Sequence, residues 1–164
     1  MRFSIHQVFN PMYVAVVIAL VLVLPLISII SQLLFQHGAV TAPVALPIIA
    51  KWYVFWAVGV RLSLAGLRQI IQPRYTAESI LGIQSAASLL LVRELGFANA
   101  AMGIAGLRSL IAPSWVAPLA LMGAVFYGLA GINHCLRPNR NTLQNLALAS
   151  DLFAALVLAI CFFA

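Results

Sequence analysis

From Pro11 to Phe35 the chain runs for 25 residues without a charged side chain. Four further apolar runs follow it. A helix rises 1.5 Å per residue, so about 20 apolar residues cross a hydrocarbon layer ~30 Å thick. Runs of this kind would be insoluble in water, whereas in a bilayer each becomes a spanning helix. Only 7% of the 164 residues are charged and 64% are hydrophobic, where a soluble domain carries about 25% charged residues. The expected fold is all-α, a polytopic transmembrane bundle of about five spanning helices. One membrane domain over residues 1–164 uses the whole length.

The helices are expected at about 11–35, 47–71, 77–111, 115–136 and 142–164. Pro11 suits a first helical position, and Pro25 predicts a kink. Gln72-Pro73-Arg74 ends the second helix, and Thr76 is a plausible N-cap for the third. At full length the third would measure roughly 50 Å, so it has to tilt, protrude or break, with Gly96 as the weakest point. Arg2 before an apolar run and Val40-Thr41-Ala42 after it imitate a secretory signal. The run is far longer than the ~7–15 residues of a signal core, so it reads as a retained span; a four-span bundle stays open.

Basic residues outside the spans set orientation. Arg2, Arg68, Arg74, Arg137 and Arg140 fall on one side of a five-span bundle, with Arg108 on the other. That places the N-terminus in the cytoplasm and the C-terminus in the periplasm. Trp52, Tyr53, Trp56 and Trp115 then fit an interfacial belt. Helix contacts in lipid come from small residues rather than from hydrophobic burial. Gly59, Ser63 and Gly66 mark one such face, Gly96 and Gly103 another. Ala120, Ala124 and Gly128 mark the fourth helix, and Ala147, Ala155 and Ala159 the fifth.

The chain has nine basic and three acidic residues, yet Arg61, Arg93, Glu94 and Asp151 lie deep in apolar runs. A charge at mid-depth costs about 2.5–3.5 kcal/mol on insertion scales, so it faces a bundle interior or water and marks a candidate site. Asp151 sits four residues from both Ala147 and Ala155, so its carboxyl points at a neighbouring helix. Arg61 lies at similar height, and the expected pairing is Arg61 with Asp151 or Glu94. Arg93 and Glu94 project ~100° apart and need separate partners, with Asn99, Gln84 and Asn133 as candidates. The candidate ligand-binding residues are therefore Arg61, Arg93, Glu94, Asn99 and Asp151. The same groups could instead fix helix register.

Other signals are weak. His6, His37 and His134 show no regular spacing, and read as interfacial rather than as haem ligands. Cys135 and Cys161 form no C-x-x-C, and no metal-ligand spacing occurs. No Walker loop, dinucleotide fingerprint, G-x-S-x-G or H-E-x-x-H is present. The net charge of +6 is scattered singly near helix ends, which does not suggest nucleic acid. Residues 65–73 and 105–113 echo one another as Ala-Gly-Leu-Arg, a following Pro closing each. Helix ends that reuse a small residue and a snorkelling Arg explain the echo better than an inverted repeat.

Gly59-Val60-Arg61, Ala65 to Gln69, Ile80-Leu81-Gly82, Arg93 to Asn99, Phe126-Tyr127-Gly128, His134 and Asn141 to Asp151 form a pattern. It resembles a bacterial family of small integral membrane proteins known only as a domain of unknown function. A looser likeness is to the DoxX-like membrane proteins. The resemblance implies an inner-membrane location and no particular activity or cofactor.

Three functions stay open. The leading one is a non-enzymatic membrane protein that binds or moves a small polar, lipid-like or anionic ligand. An intramembrane enzyme or redox subunit acting on a lipid or quinone would use Glu94 or Asp151 as acid or base. A structural accessory subunit, meeting a membrane-complex partner or a second copy of itself, would have its interior charges paired and no cavity.

Overall fold

The computed structural model of the chain describes residues 11–36 and 38–163, so Arg2, His6 and His37 lie outside the described residues. Five helices are long and apolar enough to cross a membrane: α1 Pro11–Leu34, α2 Ala42–Ile71, α3 Ala86–Arg108, α4 Pro113–Cys135 and α5 Thr142–Phe163. No strand occurs among the described residues, and the composition is that of a multi-pass membrane protein.

Within the spans, two stretches are wound wider than an α-helix. In α1 it is Ala19–Val23, immediately before Pro25, which has no N–H to return to Val21. In α2 it is Val54–Val60, which carries three fully buried core side chains, Val54, Ala57 and Val58. α2 also starts earlier than its apolar pattern indicates, at Ala42 with Pro43 in its first turn, so Pro47 lies inside the helix rather than at its head.

The third span is the main departure from expectation. The chain does not run helical from 77 to 111 with a weak point at Gly96. Tyr75–Ile80 is one wide helical turn and the chain then opens at Leu81–Gln84, where Gly82 adopts a positive φ of 70°. The helix restarts at Ala86 behind Ser85, whose side chain accepts from the Ser88 amide at 3.1 Å. What remains is 23 residues, or about 34 Å, a length that fits a bilayer.

Gly96 is a packing surface instead. α2 and α3 run antiparallel, with Gly59 against Gly106, Ser63 against Gly103, and Gly66 against Gly96 and Ala100. A Cβ on Gly66 would lie 2.5 Å from the Ala100 nitrogen, so only glycine lets the backbones meet. The expected stripes of α4 and α5 face inward, with Ala120 and Ala147 buried and Ala124 and Ala155 against the core, and two further glycines join them. Gly123 meets Val58 and Leu158, and Gly131 meets Leu152, while a Cβ on Gly128 would find only Ala155, at 3.9 Å.

Trp52 and Trp56, expected in an interfacial belt, turn their indole N–H groups to a neighbouring helix. Trp52 Nε1 donates to Gln32 Oε1 at 2.7 Å and Trp56 Nε1 to Ser28 Oγ at 2.9 Å, which stitches α1 to α2. Tyr53 is buried, whereas Trp115 is exposed at the head of α4, as a belt residue would be. At the opposite end Asn141 and Gln144 form a reciprocal cap: the Gln144 amide donates to Asn141 Oδ1 at 2.8 Å and the Asn141 amide to Gln144 Oε1 at 3.0 Å. Gln144 Nε2 then donates to the Ile80 carbonyl at 2.8 Å and Asn141 Nδ2 to the Ser79 carbonyl at 3.3 Å, which ties the end of the wide turn, just before the open stretch, to the start of α5.

Candidate functional site

Arg61 follows the wide segment of α2, so its side chain leaves the helix between α4 and α5. Its Nη2 donates to Asp151 Oδ1 at 2.7 Å and to Ser150 Oγ at 2.9 Å. The pair is largely buried, with side-chain exposures of 13% and 9%, so these charges neutralise each other away from lipid. The guanidinium carbon lies 4.8 Å from the Tyr127 ring centroid, and the Tyr127 hydroxyl donates to the Ala57 carbonyl. The Ser150 hydroxyl in turn donates to the Ala147 carbonyl at 3.0 Å. His134 Nε2 stands 3.9 Å from Asp151 Oδ2, too far for a hydrogen bond but close enough to feel the charge. Arg61 Nη1 and His134 Nδ1 are buried without a hydrogen-bond partner among the described residues.

The expected pairing of Arg61 with Asp151 is thus the one found. Tyr127, His134 and Ser150 complete the cluster; none of them is among the expected site residues, and His134, expected at the interface, is buried beside Asp151. Tyr127, Gly131 and His134 recur at helical spacing on α4, and all three are buried; that periodicity was the available signal.

Asn99 is elsewhere. Its Nδ2 donates to Gln69 Oε1 at 2.8 Å across the α2–α3 contact, buried on both sides. Arg93 and Glu94 are not interior residues at all. Both are exposed on the outer side of α3, and neither has a hydrogen bond or ion pair among the described residues. Gln84 and Asn133, offered as their partners, are exposed as well. The reason is rotational. Ser88, Val92, Gly96, Asn99, Gly103 and Gly106 are the buried side of α3, and Glu94 projects roughly 150° from the centre of that face. Glu94 is also eight residues past Ala86, about 12 Å along the axis, inside the stretch long and apolar enough to span. An unpaired acid there carries a cost of about 2.5–3.5 kcal/mol.

A cavity of about 640 Å³ opens at the other end of the bundle. Its walls are Pro43, Leu46, Pro47 and Ile48 of α2, Leu110, and Val116, Ala117 and Ala120 of α4, with Cys161 of α5. The size suits a drug-sized or acyl-bearing molecule. Beside Ser109, whose hydroxyl donates to the Gly106 carbonyl at 2.7 Å, two polar side chains line it that no sequence signal singled out, Lys51 of α2 and Gln32 of α1. Trp52 organises both. Its indole N–H occupies Gln32 Oε1, which leaves the Gln32 amide N–H groups as donors. Its ring carries the Lys51 ammonium 4.9 Å from the centroid. One cation and one amide donor therefore share a mostly apolar cavity. Lys51 lies nine residues from Ala42, ~14 Å into the helix, at the same end as Arg108.

Among the described residues no group of three His, Cys, Asp or Glu side chains converges as a metal site would need. No curated protein and no solved structure matches the chain. Residues 11–164 match the model of a family of unknown function, DUF6790, and the chain belongs to that family.

Proposed function

We propose that this member of the DUF6790 family is a non-enzymatic, bacterial inner-membrane protein that binds an anionic, lipid-like molecule. The observation that carries the reading is the 640 Å³ cavity, apolar except chiefly for Lys51 and Gln32. An acyl or comparable apolar body would lie against Leu46, Pro47, Val116 and Ala120, where contact replaces the lipid it leaves. Its anionic head would meet the Lys51 ammonium and the Gln32 amide, both held by Trp52. A charge-assisted hydrogen bond at low dielectric is about twice as strong as a neutral one. With the N-terminus cytoplasmic, as Arg68, Arg74, Arg137 and Arg140 favour, the cavity lies in the periplasmic half.

The interior charges support this division of labour. Arg61 and Asp151 are paired with one another and hold α2 against α5. An enzymatic reading asks for an acid bonded to little else. Asp151 instead carries Arg61, and Glu94 lies on the outer face of α3.

The test is a titration of the protein in lipid nanodiscs with 11-(dansylamino)undecanoic acid. The expected result is saturable binding, weakened at least about tenfold (1.4 kcal/mol) by Lys51→Glu and blocked by Ala120→Phe, which fills the cavity. Signal that never saturates, or that both variants leave unchanged, contradicts the proposal.

A further inference from the structure

The charges on the outer face of α3 are opposite in sign, adjacent in sequence and level in the membrane. We propose that the protein pairs with a second copy of itself through this face, Arg93 of each copy meeting Glu94 of the other. The inference does not depend on the ligand reading.

The geometry follows from helix periodicity. Arg93 and Glu94 diverge by ~100°, and the direction midway between them also passes through Leu90, Phe97, Ala101 and Ile104. All six side chains are exposed, and they stand opposite the glycine face packed on α2. Leu90, Phe97 and Ile104 recur every seven residues, the spacing of a seam between two helices.

Every copy enters the membrane the same way round, so a two-fold axis relating two copies runs along the membrane normal. It brings the two α3 helices together parallel, with equal residues at equal depth. Arg93 on one side of the seam then faces Glu94 of the second copy, and the same pair repeats on the other side. A stripe bearing one sign of charge would repel its own copy; this one is complementary to itself. The match satisfies both charges that the monomer leaves toward lipid. Phe97 and Ile104 supply contact below them, and Ala101 lets the backbones approach.

The experiment co-expresses two differently tagged full-length copies and measures co-purification in native-lipid nanodiscs. Wild-type copies are expected to co-purify. Arg93→Glu copies with one another, and Glu94→Arg copies with one another, are expected to lose at least about tenfold of that association, a weakening of 1.4 kcal/mol. The mixed pair, Arg93→Glu with Glu94→Arg, restores opposite charges across the axis and is expected to recover it. In a second measurement, on a chain with Cys135→Ser and Cys161→Ser, Phe97→Cys is expected to form an oxidised dimer in the membrane. Leu64→Cys, exposed on α2, is expected to form none. The proposal is overturned if wild-type copies fail to co-purify, or if Phe97→Cys dimerises no better than Leu64→Cys. A mixed pair that recovers nothing while Phe97→Cys also stays monomeric overturns it too. Capture of a different protein by Arg93 and Glu94, with no second copy present, does the same.

Discussion

Replacing Asp151 with Leu leaves the Arg61 guanidinium buried without its counter-charge. Arg61 Nη2 loses its bond at 2.7 Å and keeps only Ser150 Oγ at 2.9 Å, and Nη1 is already without a partner among the described residues. Breaking a buried pair from one side costs about 3–5 kcal/mol, which is roughly 150- to 4,500-fold in the folding equilibrium. The converse change, Arg61→Met, should cost less. An orphaned carboxyl can take up a proton, whereas a guanidinium does not shed one. The double variant Arg61→Met/Asp151→Leu removes both charges. It leaves Ser150 still donating to the Ala147 carbonyl, and is expected within about 1–2 kcal/mol of wild type, because an apolar replacement of a buried pair is often near neutral. The assay is reversible unfolding in mixed micelles with rising SDS, followed by far-UV circular dichroism. If the double variant is destabilised by the sum of the two singles, or if Arg61→Met costs more than Asp151→Leu, the pairing argument is wrong.

The same assay separates two glycines. Gly66→Val is expected to force α2 from α3 and cost several-fold more stability than Gly128→Ala, because a Cβ meets backbone at 2.5 Å in the first case and only Ala155 at 3.9 Å in the second. Equal effects would refute the close-approach reading. Tyr127→Phe removes the donor to the Ala57 carbonyl beside the fully buried Ala57 and Val58, and is expected to cost about 1–2 kcal/mol. No loss would mean that the hydroxyl does not hold the wide segment of α2.

What the sequence showed and what it hid have separate physical causes. The spans were legible because crossing a bilayer is a matter of length and composition, and Pro11–Leu34 needs no neighbour to be recognised. Asp151 was legible because Ala147 sits one turn away on its own helix, so the inward direction was written locally. Arg93 and Glu94 were misplaced because depth was read and rotation was not. Gly96, Asn99 and Gly103 already marked the inward side of α3, and their spacing puts Glu94 nearly opposite. The break before Ala86 escaped because Gly82 and the reach of Gln144 to the Ile80 carbonyl belong to tertiary structure. Lys51 escaped for a similar reason. Its neighbours in the cavity come from α1, α4 and α5 as well as its own helix, and no periodicity within α2 records that meeting.

Occupation of the Lys51 cavity by an anionic lipid-like molecule is tested by locating such a molecule. A diazirine-bearing fatty acid is photolysed with the protein in nanodiscs and the labelled peptides are mapped by mass spectrometry. Label is expected to concentrate in residues 43–51 and 113–120, and to be lost on Lys51→Glu. Label spread evenly over the lipid-facing sides, or gathered at Arg93 and Glu94 and indifferent to Lys51, would contradict it.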